Sequence, residues 1–317
     1  MSNDLAIEIK RLCKSFKAKE VLKSLDLAIP KGKIFALLGQ NGAGKTTMVK
    51  ILSTLLNIDS GDVTVLSYRL PKESDSVRSK ISLTGQYAAL DEDMTGEQNL
   101  ILISKLFGYK GAAAKNRAKE LLEQFDLTEA GSKPVKTYSG GMHRRLDIAA
   151  SIIKTPELLF LDEPTTGLDP RSRAVVWDFV RNLAKNGTTI FLTTQYLEEA
   201  DVLANLIAVI EGGKIVAKGT AAELKSLVGR KTIKIRLQNE SDAGMTKNIV
   251  GELFAEATIK ADEANALSVE ISEVSQANQV LNGLTKAGIE PMEYAISQAS
   301  LDEVFMIFTE NGGQDNG

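Results

Sequence analysis

A five-residue apolar run, Ile34 to Leu38, passes without a break into Gly39-Gln40-Asn41-Gly42-Ala43-Gly44-Lys45-Thr46-Thr47 and then into an apolar-periodic segment reaching about Leu56. No other stretch constrains the fold so tightly. An unbroken apolar run of this length predicts a strand buried on both faces, and a glycine-rich turn before a 3.6-residue period predicts a loop that opens a helix. The spacing Gly39-x-x-x-x-Gly44-Lys45-Thr46 is that of a phosphate loop. Glycines let backbone N–H groups approach phosphate oxygens, and the following helix presents its positive end to them. Gly39, Asn41, Gly42, Ala43, Gly44, Lys45, Thr46 and Thr47 are therefore the expected nucleotide cradle. Lys45 is expected to reach the β- and γ-phosphates, and the Thr46 hydroxyl to ligate Mg²⁺.

A second apolar run, Leu158-Leu159-Phe160-Leu161, ends in Asp162-Glu163-Pro164. Two charges directly after a buried strand are costly unless they are used. Asp162 is accordingly assigned to the metal and Glu163 to polarising an attacking water. A helix from about Arg171 to Lys185, a strand Thr189 to Thr193, a helix Leu197 to Leu203 and a strand Leu206 to Ile210 continue a doubly wound α/β alternation. Before the loop, Ile7, Ile9, Leu25, Leu27 and Ile29 alternate with polar residues, as antiparallel strands do.

Thr46 and Asp162 are 116 positions apart, far more than one crossover needs. Within that stretch Thr95-Gly96-Glu97-Gln98 matches a capping box that starts a helix continuing through Leu106. Ala112 to Phe125 and Ser139 to about Lys154 have helical periodicity, the latter closed by Pro156. They predict an inserted helical subdomain over about 88–155. After Gly229 the expected order is a strand over 232–237, a helix over 244–254, strands near 257 and over 267–271, a helix over 275–287, a strand over 291–296 and a helix over 300–309. This βαββαβ order suggests a split βαβ module. The division expected is an ATP-binding domain over 1–228 and an accessory α+β domain over 229–317.

The 38 basic and 41 acidic side chains leave a net charge of −3, so nothing suggests the positive field of a nucleic-acid binder. Cys13 is the single cysteine, and the opening residues MSNDLAIEIKRL carry charges where a secretory leader needs an apolar core. The expected compartment is the reducing cytoplasm. No apolar stretch approaches the roughly 20 residues that span a bilayer.

Between the two anchors, Tyr138-Ser139-Gly140-Gly141-Met142 resembles the Leu-Ser-Gly-Gly-Gln signature of ATP-binding-cassette (ABC) ATPases, a resemblance covering residues 4 to 225. It implies a P-loop NTPase cassette with a mixed sheet core, an antiparallel β part and the helical insertion. Ser139 suits a helix N-cap, and with Gly140 and Gly141 it makes an anion site that in this family faces the γ-phosphate held by the opposite protomer. Gln86, in Thr84-Gly85-Gln86-Tyr87, matches the Q-loop residue that touches Mg²⁺, and Gly167-Leu168-Asp169 matches the D-loop at the dimer seam. Phe16 stands where an aromatic stacks on adenine, a core aromatic being the alternative.

Where many relatives carry a switch histidine, this chain has Gln195, which can donate a hydrogen bond to the γ-phosphate but cannot hold an extra proton. The only histidine, His143, follows the signature and is expected to be a helix-surface side chain. Gln195 followed by Tyr-Leu-Glu-Glu-Ala-Asp, together with Ser300-Leu301-Asp302-Glu303-Val304-Phe305, is similar to the daunorubicin-resistance type of exporter ATPase. Leu301, Val304, Phe305 and Phe308 equally form the stripe of a plain amphipathic helix.

The resemblance implies ATP hydrolysis by Glu163, Gln195 and Lys45 in a homodimer or heterodimer. It places the chain peripherally on the cytoplasmic side of the cell membrane, powering efflux of a drug-like or amphipathic substrate through a separate transmembrane permease. Importer ATPases, mechanical ATPases acting on DNA or ribosomes, and small-molecule kinases are the alternatives. Mechanical ATPases usually carry coiled coils or two cassettes, and a kinase has no need for the half-site at Ser139 to Gly141.

Overall fold

Alternating apolar residues build the first layer: Ile9 pairs opposite Leu27 and Leu12 opposite Leu25, and all four side chains are buried. The computed structural model of the chain describes residues 4–17, 19–84, 90–227, 231–254, 258–298 and 300–310. Two compact units result, Met1–Ala221 and Ala222–Gly317. The expected seam at 228/229 lies outside the described residues.

The first unit runs β1 (Leu5–Phe16), β2 (Lys19–Pro30), β3 (Ile34–Leu38), α1 (Lys45–Leu52), β4 (Ser60–Val65), β5 (Tyr68–Leu70), α2 (Ser74–Arg78) and β6 (Ile81–Thr84). Three helices follow, α3 (Gly96–Leu106), α4 (Gly111–Gln124) and α5 (Gly140–Ser151). The alternation then resumes with β7 (Leu158–Asp162), α6 (Pro170–Lys185), β8 (Thr189–Thr194), α7 (Leu197–Leu203), β9 (Leu206–Glu211) and β10 (Lys214–Gly219).

One sheet has the order β2-β1-β4-β5 and is antiparallel. The other has the order β10-β9-β3-β8-β7-β6, parallel from β9 to β6 with β10 antiparallel at its edge. Every residue of β3, β7 and β8 is buried. Register sets Phe35, Phe191 and Phe160 in one row across these strands, with ring centroids 5.1 and 5.6 Å apart. This row shares a core with Met48 and Ile51 of α1 and with the buried face of the antiparallel sheet.

The capping box at Thr95 forms as expected, its hydroxyl accepting from the Gln98 N–H at 3.1 Å and the Gln98 side chain accepting from the Thr95 N–H at 2.9 Å. Two helix ends differ from expectation by more than two residues. Helix α1 stops at Leu52 rather than about Leu56, because Thr54 turns left-handed (φ 67°) and the Leu55 and Leu56 amides fold back onto the Lys50 carbonyl. Helix α5 stops at Ser151 rather than about Lys154. The elements β4, β5, α2 and β6, together with helices α3, α4 and α5, occupy the stretch that spacing alone marked as too long for a crossover.

Helix α8 (Ala221–Leu227) begins at the division between the units. The second unit continues with β11 (Lys231–Leu237), α9 (Asp242–Leu253), β12 (Ile259–Glu263), β13 (Ala266–Ile271), α10 (Val274–Lys286), β14 (Pro291–Gln298) and α11 (Leu301–Glu310). From β11 to β14 this is the expected βαββαβ order, folded into an antiparallel sheet β12-β13-β11-β14. Ile233, Ile235 and Val269 pack there against Val250 of α9 and Val280 and Leu284 of α10. No helix among the described residues is long and apolar enough to cross a membrane.

Candidate active site

Because β3, β8 and β7 are parallel neighbours, their carboxyl ends open on one edge, where α/β sheets gather their chemistry. That edge carries Gly39 after β3, Gln195 after β8, and Asp162 closing β7 with Glu163 next. The Gly39 N–H donates to the Thr194 carbonyl at 3.4 Å, tying the loop to the neighbouring strand.

Gly42 (φ 86°) and Gly44 (φ 114°) take left-handed conformations that side chains resist. Gly39 answers a different demand, since a Cβ there would lie 2.6 Å from the Ile210 carbonyl of β9. Lys45 is only 5% exposed; its Nζ donates to the Gly39 carbonyl at 2.7 Å and the Gln40 carbonyl at 3.1 Å, and pairs with Glu163 Oε1 at 3.2 Å. The backbone N–H groups of Lys45 and Thr46, at the start of α1, have no backbone acceptor among the described residues. They and the buried ammonium suit a polyphosphate.

The Thr46 hydroxyl donates to Asp162 Oδ2 at 3.0 Å, and the Thr193 hydroxyl to Asp162 Oδ1 at 2.5 Å. A hydroxyl beside a carboxylate is a hard oxygen pair of the kind Mg²⁺ accepts together with phosphate oxygens and water. The residues present therefore fit a Mg²⁺-nucleotide. Glu163 sits at φ 50°, uncommon for a residue with a side chain. Its N–H donates to both the carbonyl and the hydroxyl of Thr193, at 3.1 and 3.2 Å.

Ser139 caps α5 by accepting from the Met142 N–H at 3.3 Å. Gly140 is open to solvent, whereas Gly141 is buried against α6, where a Cβ would lie 2.7 Å from Ser172 Oγ and 3.3 Å from Asp169 Oδ2. The segments expected as signature and D-loop thus meet inside one chain. Asp169 caps α6, accepting from the Ser172 N–H at 2.9 Å and hydroxyl at 2.6 Å, bonds that hold its carboxyl below the usual range.

Phe16 ends β1 as an exposed ring (47%) with the Lys14 ammonium 5.6 Å from its centre, so it is not a core aromatic. Gln195 is half-buried, and Gln86 lies outside the described residues.

Three neighbours of this group were not among the expected site residues. Thr193 orients both Asp162 and Glu163, but a threonine at a strand end is ordinary β composition and carries no signal. Arg144 of α5 reaches the backbone around Glu163; its Asp147 partner at i+3 was the available hint. Burial pulls the Arg144 guanidinium down from its ordinary value and pushes the Asp147 carboxyl up, against the opposing pull of Arg144 and His143. Glu199 of α7 is fully buried, accepting from the Thr165 hydroxyl at 2.8 Å and the Trp177 indole at 3.2 Å, and burial pushes its carboxyl up.

Both units match known families. Residues 22–166 match the ABC transporter family, and residues 219–308 match the C-terminal domain of ATP-binding protein DrrA1-3-like proteins. The chain is 45% identical to the daunorubicin/doxorubicin resistance ATP-binding protein DrrA of Streptomyces peucetius over 98% of this chain and 94% of that one. It is 42% identical to the doxorubicin resistance ATP-binding protein DrrA of Mycobacterium tuberculosis over 97% and 95% respectively. A solved structure of an ATP-binding subunit of an ABC transporter superposes with a TM-score of 0.63 at 28% identity, covering 71% of this chain and 93% of its own. The sequence matches span the phosphate loop, the acidic strand end and the C-terminal unit, and the chain belongs to the DrrA-type ATP-binding subunits of the ABC transporter family.

Proposed function

We propose that this chain hydrolyses ATP to power export of a drug-like or other amphipathic substrate through a separate membrane permease. It works as a head-to-tail homodimer or heterodimer of ATPase subunits on the cytoplasmic face of the membrane. The relatives named for daunorubicin and doxorubicin resistance support the export direction and the cargo class. The observation that carries hydrolysis is the placing of two pairs, Thr46 with Asp162 at 3.0 Å and Lys45 with Glu163 at 3.2 Å, on one sheet edge.

In this scheme Lys45 leaves Glu163 for the β- and γ-phosphates, while Asn41, Gly42, Ala43, Gly44 and Thr47 line the phosphate cradle with Gly39. Glu163, released, accepts a hydrogen bond from the attacking water and aims it in line with the γ-phosphate. Thr46 and Asp162, with Gln86, would hold Mg²⁺, which when bound neutralises charge on the phosphate oxygens. Gln195 donates to the γ-phosphate and Phe16 stacks on adenine. Ser139, Gly140 and Gly141 serve the nucleotide held by the other subunit, with Asp169 at the seam.

The test is Glu163→Gln, which keeps the shape of the side chain but removes its capacity as a base. With saturating Mg-ATP it should accumulate as a dimer on size exclusion, with turnover reduced by about 10²- to 10⁴-fold. A variant that stays monomeric, or hydrolyses at the wild-type rate, counts against the mechanism.

A further inference from the structure

Helix α5 begins at the signature tripeptide, of which Ser139 and Gly140 are exposed and Gly141 is buried, and Arg144 lies about 7.5 Å beyond Ser139 along the helix axis. The guanidinium leaves the helix and meets the backbone at and just after the end of β7. Nε donates to the Pro164 carbonyl at 3.2 Å, and Nη2 donates to the Asp162 carbonyl at 3.1 Å and more weakly to the Glu163 carbonyl at 3.5 Å. Nη1 pairs with Asp147 Oδ2 at 3.2 Å, one turn on in the same helix. Only a rigid planar fork with five donors can serve successive carbonyls and a carboxylate together.

These contacts bracket the left-handed Glu163 from both sides. Its N–H is held by Thr193 of the central sheet, and the carbonyls before, at and after it converge on Arg144 of the signature helix. On the sheet side every residue of β7 and β8 is buried. The helix carries the outward contact: its first turn is exposed at Ser139 and Gly140, the surface that in the proposed dimer meets the other subunit's nucleotide.

We propose that Arg144 is a positioning residue that couples the two ATP sites, carrying a shift of the Ser139 helix to the backbone that orients Glu163. The inference rests on the shared-site reading above. Engagement of the signature at one site then sets the aim of the water-holding carboxylate at the other, and Asp147 holds the guanidinium in plane.

The test uses the full chain and compares wild type with Arg144→Met, Arg144→Lys and Asp147→Asn, recording ATP turnover against Mg-ATP concentration. Wild type should be cooperative, with a Hill coefficient above one. Arg144→Met should lower kcat by about 10- to 100-fold, as misplacement by an ångström does. Its KM should stay within about twofold and its Hill coefficient fall to about one. Arg144→Lys, which keeps the charge but not the fork, should fall between, and Asp147→Asn should show the same pattern more mildly. A residue that only supports the fold would change KM and melting temperature together and leave the Hill coefficient alone. Wild-type kcat and cooperativity in folded Arg144→Met overturn the inference; if that variant does not fold, the same result in both conservative variants does so. A wild-type chain that turns over ATP without cooperativity also overturns it. A wild-type chain with no ATPase activity removes the proposed function and this inference together, whereas an active wild type with unaffected variants removes the inference alone.

Discussion

Lys45 Nζ lies 3.2 Å from Glu163 Oε1, so the cation expected at the γ-phosphate and the carboxylate expected at the water are direct partners on one sheet edge. The pair keeps two nearly buried charges satisfied, which neither could be alone.

Lys45→Met should remove the phosphate contact and leave Glu163 without its cation. The expected result is at least a 100-fold loss in kcat/KM, the scale on which removal of one fixed electrostatic contact acts, together with weaker equilibrium binding of a fluorescent ATP analogue. Wild-type turnover in this variant would exclude Lys45 from the chemistry.

Gly39→Ala tests the close approach of loop and sheet. Its methyl would sit 2.6 Å from the Ile210 carbonyl, so the loop must move. Overpacking of this kind costs about 1–3 kcal/mol, which a melting curve should show as a modest drop. Nucleotide affinity by calorimetry should fall by more than tenfold, because the displaced segment is the cradle itself. Unchanged affinity would mean that the loop backbone tolerates displacement.

Gln195 cannot change charge, so ATPase activity should show no titration assignable to a switch imidazole between about pH 6 and 7.5. Gln195→His should alter the rate and introduce such a titration. If both rate and pH profile remain as in wild type, Gln195 does not sense the γ-phosphate.

Glu199 gives a pH dependence of stability with a definite sign. Burial raises its carboxyl in the fold above the ordinary value of 4.5, partly opposed by hydrogen bonds from Thr194, Thr165 and Trp177 and by the charge of Arg173. Between the ordinary and the raised value the folded chain binds more protons than the unfolded one, so this group's contribution to stability falls as pH rises through that window. Glu199→Gln keeps an acceptor for Thr165 and Trp177 without the charge. Its urea midpoint, followed by the emission of the single tryptophan, Trp177, should gain on wild type as pH rises from about 4.5. A difference that does not vary with pH would show that Glu199 is not charged at a cost.

The site was legible wherever its chemistry is written in consecutive residues. A phosphate loop needs adjacent backbone groups and a following helix, so Gly39 to Thr47 announce it locally; the same holds for Ser139 as a cap and for Asp162 after an apolar run. Helix ends were less legible, since α1 stops where Thr54 and the Lys50 carbonyl make a left-handed turn that periodicity does not register.

By itself, then, the sequence determined the doubly wound alternation, its nucleotide loop, its acidic strand end and the βαββαβ order of its second unit, because each follows from short-range spacing and hydrophobic period, while the cassette and its signature were read through the family resemblance. Tertiary structure decided which groups act on one another. Thr193 meets Asp162 only through the register of β8 against β7. Arg144 meets Glu163 only because the fold brings α5 within reach of the end of β7. Gly141 is glycine because α6 packs against it, as well as for any anion. Such pairings depend on how distant segments are held together by the core, and no local pattern encodes them.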